Sequence, residues 1–314
     1  MKKQLQFELW RECNSKCKFC YLGRANNITP DDIKIRNLDN VMNIMSNLSI
    51  YEEYDTIAFI GGEFFQGQMN NEEVRTKFFD LMRYTAQLLN DGIIKHVWMY
   101  ATLTIGEQQD LYDTLKIFEN TKGDFWILTS YDTIGRFHTQ KMEDNWSYHM
   151  KNIHTLYPNI QFNITTIITG DLIEKYLNNT FSFKSLEEDY HSSLFIKLCA
   201  LPERMYKDKQ EANDVIGNFF PTRDSFLKFL IKIKKEDNEL YDKLFNIKYR
   251  ADTLYCEYEG EITEMTRNKE NGLESFNPNI DHIMDCGHLS LYSPYIDSDK
   301  CALCDKIKIE SMEC

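Results

Sequence analysis

The chain has 314 residues, 42% hydrophobic and 27% charged, which suits one large α/β domain with an appendage, or two domains. It has no run of eighteen apolar residues, and residues 1–6 lack the apolar stretch of a signal peptide; the expectation is a soluble, cytoplasmic protein with no membrane partner. The net charge of −13, from 49 acidic and 36 basic residues, weighs against a grip on long nucleic acid, although a local basic patch can coexist with an acidic total.

Residues 4–10 alternate polar and apolar side chains, the pattern of a strand with two faces. The strand runs into Cys13-Asn14-Ser15-Lys16-Cys17-Lys18-Phe19-Cys20, where three and then two residues separate the cysteines. Three thiolates on one short loop can hold three irons of a [4Fe–4S] cluster and leave the fourth open to a small molecule. Phe19 would then pack beside the cluster and keep water off it. A zinc knuckle is the alternative use of such a loop, although the usual zinc signature is two separated CxxC pairs.

After Pro30, Leu38, Val41, Met42, Met45 and Leu48 recur at helical spacing. Residues 55–60 form a short apolar run typical of a buried parallel strand, ending in Gly61-Gly62-Glu63. The unit then repeats. Val74, Phe78, Leu81, Met82, Leu88 and Leu89 mark a helix capped by Asn70 or Asn71. Strands are expected over 95–101, 125–129, 160–168 and 193–199. Helices are expected around Leu111, Leu115 and Phe118, over 142–156 and over 171–178. Strand alternating with helix implies right-handed parallel crossovers. Six units without an evident seventh or eighth predict an incomplete barrel.

Near residue 205 the pattern changes, dividing a core of 1–205 from an extension of 206–314. Residues 203–247 are charged and helical, with Phe226, Phe229, Leu230 and Ile233 on one face and Lys232, Lys234 and Lys235 on a solvated one. From Tyr255 onward regular periodicity is lost. This tail holds Cys256, Cys286, Cys301, Cys304 and Cys314, and chelation suits a loop-rich segment with little core of its own. A second metal site of Cys256, Cys286, Cys301 and Cys304 is expected, either iron–sulfur or zinc, with His282 and His288 as substitute zinc ligands.

In parallel α/β folds ligands sit at the carboxyl ends of the strands. Gly61 and Gly62 would let a ligand approach the backbone closely, and Glu63 can accept from an ammonium group. Ser130-Tyr131-Asp132 ends the fourth strand, with His138 six residues after the aspartate. Asp132 reads either as a functional residue or as a cap on the next helix, and His138 as structural. Thr166 faces the same choice between a ligand contact and an ordinary strand former.

The cysteine loop resembles, residue for residue, the CxxxCx(aromatic)C motif of the radical S-adenosylmethionine (radical SAM) enzymes. The resemblance implies a partial (β/α)6 barrel with a helical and cysteine-rich C-terminal extension. Cys13, Cys17 and Cys20 would bind a [4Fe–4S] cluster whose open iron takes the amino and carboxylate groups of S-adenosylmethionine. Gly61-Gly62-Glu63 corresponds to the motif that holds its amino group, although most members continue with proline where this chain has Phe64 and Phe65. The segment from Ser130 to His138 is similar to the S-x-D-G-x-x-x-x-H segment of the sulfatase-maturase and SPASM-type enzymes that act on peptides and proteins, with Thr133 in the place of the glycine. By that likeness Ser130 would bond the cofactor's ribose or carboxylate and Arg136 or Lys141 its carboxylate; by strand position alone, Thr166 would contact its ribose and Leu198 would flank the adenine.

The implied activity is reductive cleavage of S-adenosylmethionine to a 5′-deoxyadenosyl radical that takes hydrogen from a peptide, protein side chain or other small molecule. Flavodoxin or ferredoxin would supply the electron. Modification of a nucleotide or tRNA base is the second expectation, and a non-enzymatic metal-binding interaction protein the third.

Overall fold

A computed structural model describes residues 3–13, 15, 17–18, 20, 29–66, 69–106, 108–198 and 209–245, and the backbone of 254–258, 261–265, 267–268 and 272–273. Phe19, Cys199, His282, His288, Cys286, Cys301, Cys304 and Cys314 lie outside the described residues, as do the side chains of Leu198 and Cys256.

Strand and helix alternate through β1 (Lys3–Glu8), α1 (Asp31–Met45), β2 (Tyr54–Ile60), α2 (Glu72–Asn90), β3 (His96–Tyr100) and α3 (Gln109–Phe118). The alternation continues with β4 (Asp124–Ser130), α4 (Gln140–Leu156), β5 (Gln161–Ile168), α5 (Gly170–Leu177), α6 (Phe183–Tyr190) and β6 (Ser193–Leu198). All six strands pair in parallel with their sequence neighbours. The architecture is α/β with a six-stranded parallel sheet, compatible with a partial barrel.

Local chemistry explains these elements. Asn71 caps α2 by accepting from the amides of Glu73 and Val74 at 2.9 and 3.2 Å. Glu72 and Glu73 suit the positive end of that helix, and its apolar stripe from Val74 to Leu89 is buried. β2 is buried at every position, as a central parallel strand must be. In β4 and β5 one face, with Phe125, Ile127, Phe162 and Ile164, is buried in the core, and the residues alternating with them are only partly covered.

The described elements depart from the sequence expectation in two main ways. α6 is an additional helix, capped by Ser182, whose hydroxyl accepts from the Ser185 amide. The second departure corrects the loss of regular structure expected from residue 255. β7 (Leu254–Tyr258) pairs in parallel with the open edge of β1, and β8 (Glu261–Met265) pairs antiparallel with β7. The sheet order is therefore β6-β5-β4-β3-β2-β1-β7-β8.

Between these strands and β6 lie α7 (Lys209–Ile216), α8 (Arg223–Glu236) and α9 (Asn238–Phe245). Phe226, Phe229, Leu230 and Ile233 of α8 join the same continuous core as the sheet. Phe229 meets Tyr176 edge-on at 5.4 Å. Lys232 is bound to protein rather than merely solvated: its ammonium donates to the carbonyls of Tyr176 and Leu177 at the end of α5, at 2.9 and 3.4 Å. Among the described residues no helix is long and apolar enough to cross a membrane.

Candidate functional site

Because the strands run parallel, the loops that follow β1, β2, β3 and β4 emerge at one end of the sheet. The cysteine loop follows β1. None of Cys13, Cys17 and Cys20 is in a disulfide; Cys17 is buried and the other two are half-buried. Cys13 lies within electrostatic reach of Cys17, and Cys17 of Cys20. Burial pushes the Cys13 thiol up, and Glu63 beside it adds to the effect. Burial likewise pushes Cys17 up, and the Arg136 guanidinium pulls it part of the way back. Among the described residues no group of three His, Cys, Asp or Glu side chains is arranged to hold a metal ion.

The glycines after β2 have a definite task. A Cβ on Gly61 would stand 2.2 Å from the Trp10 carbonyl oxygen, and one on Gly62 would stand 1.9 Å from that of Glu12. Gly61 also adopts φ = 141°, open to glycine. Gly62 N donates to Trp10 O at 2.8 Å and Glu63 N to Glu12 O at 2.9 Å. The close approach is thus made by the chain's own backbone just before Cys13, and it ties the β2 loop to the cysteine loop. Phe64 and Phe65, in the position where proline was the expected residue, are buried. Phe64 packs edge-on against Trp10 at 5.2 Å, and both phenylalanines meet Phe78.

Glu63 is fully buried. One carboxylate oxygen accepts from the Phe65 amide at 3.2 Å and the other from the Thr102 amide in the loop after β3. Burial raises its pKa, against the pull of the Thr102 and Phe65 hydrogen bonds and of Arg136. Around it lies a buried polar net that sequence reasoning missed. Gln66 Nε2 donates to Ser15 Oγ at 3.2 Å and to Thr102 Oγ1 at 3.3 Å, and the Thr104 hydroxyl stands 3.2 Å from that of Thr102. Leu103 between the two threonines has φ = 57°, a left-handed conformation that bends the loop around Glu63. Gln66 lies 51 residues from Ser15 and 36 from Thr102, beyond any local sequence signal.

The loop after β4 completes the site. Asp132 does not cap α4; Thr139 occupies that position. One oxygen of Asp132 accepts from the Ile167 amide at 3.2 Å and the other from Arg136 Nε at 3.0 Å. Burial acts to lower the Arg136 pKa, and Cys17 and Asp132 more than offset it, so the guanidinium stays charged. His138 Nε2 donates to the Ser15 carbonyl at 2.8 Å, and Lys18 N donates to the Gly135 carbonyl at 2.9 Å.

The remaining expected contacts fall as follows. Ser130 is the last residue of β4, half-buried and opposite Thr165 in register. Thr166 is fully buried and its hydroxyl donates to the Tyr131 carbonyl at 2.7 Å, a structural bond. Leu198 ends β6 opposite Ile168. The structure therefore brings Cys13, Cys17, Cys20, Gly61, Gly62, Glu63 and Arg136 together. Of the proposed second site it describes only the backbone of Cys256, opposite Gln6 of β1. No model of a known protein family matches the chain, and the search of curated proteins found no match.

Proposed function

We propose that the chain is a radical SAM enzyme in which Cys13, Cys17 and Cys20 hold three irons of a [4Fe–4S] cluster and leave the fourth iron to S-adenosylmethionine. The observation that carries this reading is convergence: the Gly61-Gly62-Glu63 loop and the Arg136 loop are both bound to the three-cysteine loop at the carboxyl end of a parallel sheet. The donor chemistry fits. A cluster draws its cysteine sulfurs to separate irons, so they stand further apart than the ligands of a single ion.

When bound, the cluster and S-adenosylmethionine together supply one-electron cleavage of the sulfonium and abstraction of a hydrogen atom from the substrate. The chain's own residues hold and shield. Arg136 keeps a half-buried positive charge beside Cys17 and Cys20, offsetting the negative charge that bound thiolates carry. Trp10, Phe64 and Phe65 are buried beside Glu63 and keep that flank of the site apolar. Glu63 keeps a carboxyl group beside Cys13.

The substrate we infer is a peptide or protein side chain, because the Ser130–His138 segment, which resembles that of peptide-modifying enzymes, is bonded to the cysteine loop through Ser15 and Lys18. The chain works in a reducing, cytoplasmic setting with an electron donor such as flavodoxin or ferredoxin. A second iron–sulfur or zinc site in the tail belongs to the same proposal.

The test is anaerobic. Wild type and a Cys13/Cys17/Cys20 triple-alanine variant are reconstituted with iron and sulfide, reduced with dithionite and given S-adenosylmethionine. 5′-Deoxyadenosine is expected from wild type alone. None from iron-loaded wild type, or equal amounts from both proteins, would contradict the reading.

A further inference from the structure

Each of the two spacers in the cysteine loop has one residue fastened to the loop after β4. Between Cys13 and Cys17, Ser15 is buried and its carbonyl accepts from His138 Nε2 at 2.8 Å. A carbonyl oxygen cannot donate, so Nε2 carries the proton. The Ser15 hydroxyl is held from the other side by Gln66 Nε2 at 3.2 Å and stands 3.5 Å from the Thr104 hydroxyl. Between Cys17 and Cys20, the Lys18 amide donates to the Gly135 carbonyl at 2.9 Å. Gly135 has φ = 82°, a left-handed turn that glycine adopts without cost. The β4 loop is itself anchored, since Asp132 takes the Ile167 amide of β5 and the Arg136 guanidinium.

We propose that the loop after β4 is a clamp that sets the shape of the cysteine loop before any metal binds, with His138 as its positioning residue. The clamp's purpose rests on the cluster reading above; its existence does not. A three-cysteine loop left to itself would lose conformational freedom on metal binding. Fastening Ser15 and Lys18 removes part of that loss in advance, on a rigid strand end. The bond from His138 goes to the Ser15 carbonyl, so its hold on the loop passes through Ser15.

The experiment uses metal-free full-length protein, so it does not depend on the cluster. Alkylation of buried Cys17 by iodoacetamide, followed by peptide mass spectrometry, reports how often the loop opens. His138→Ala should speed it about fivefold, the ratio set by the net worth of one ordinary hydrogen bond. His138→Gln, which keeps an N–H donor, should restore most of the protection, and the urea midpoint of each variant checks the fold. In wild type the Lys18 amide should exchange with deuterium far more slowly than an unstructured amide. An unchanged alkylation rate in folded His138→Ala, or an unprotected Lys18 amide in wild type, would overturn the clamp. Wild type that takes up no iron while alkylation still responds to His138 would remove the cluster reading and leave the clamp standing.

Discussion

At the scale of single residues, Glu63 makes the sharpest demand on the fold. Its carboxyl is sealed from water and its pKa is raised by that burial. A raised carboxyl contributes stability that is fully present below its unfolded value, about 4.3, and is lost as pH rises through the folded value. The metal-free wild type should therefore lose ground to Glu63→Gln as pH rises from the acid range towards neutrality. Urea midpoints of both proteins across that range measure it, and a gap independent of pH would contradict the assignment. The sequence marks Glu63 clearly, because Gly-Gly-Glu ends an apolar strand. It does not mark Thr102, whose amide holds that carboxylate from 39 residues away. Local periodicity carries no information about such a partner. Asp132 is similar: a cap and an ion-pair partner look alike in sequence, and only the placement of Ile167 and Arg136 decides between them.

Among the elements, the contact between the β2 loop and the segment before Cys13 is the tightest backbone approach at the site. A methyl group on Gly62 would meet the carbonyl oxygen and carbon of Glu12 at 1.9 and 2.5 Å, and neither is the end of a flexible side chain. Gly62→Ala should cost about 3 kcal/mol or more, the upper range for forced overpacking. Gly92→Ala is the control: Gly92 has φ = 72° but open space around it. It should cost only about 1 kcal/mol of conformational strain. Equal urea midpoints for the two variants would count against the close approach. The strand–helix alternation was readable because buried parallel strands and amphipathic helices have different periods. The elements α6, β7 and β8 were not. α6 has only eight residues, and β7 is a short, mixed run of Leu-Tyr-Cys-Glu-Tyr whose strand character comes from pairing with β1.

Over the whole molecule, β1 is both the strand that delivers the cysteine loop and an inner strand of the sheet, because β7 covers its open edge. An unpaired strand edge is a template for association. Removing residues 250–314 should expose β1 and turn the protein into larger species on size-exclusion chromatography. A truncated chain that eluted as the full-length protein does, with the same urea midpoint, would show that the edge needs no cover. Composition alone could not reveal this link between tail and core, since it depends on register across some 250 residues of chain.

The most direct measurement is an iron and sulfide count on anaerobically reconstituted wild type and the Cys13/Cys17/Cys20 triple-alanine variant, read beside their low-temperature electron paramagnetic resonance spectra after reduction. The variant should lose about four irons and four sulfides per chain, together with the signal of one reduced cluster. Any iron left behind would then belong to the tail cysteines. Equal iron, sulfide and spectra in the two proteins would show that this loop is not a cluster site.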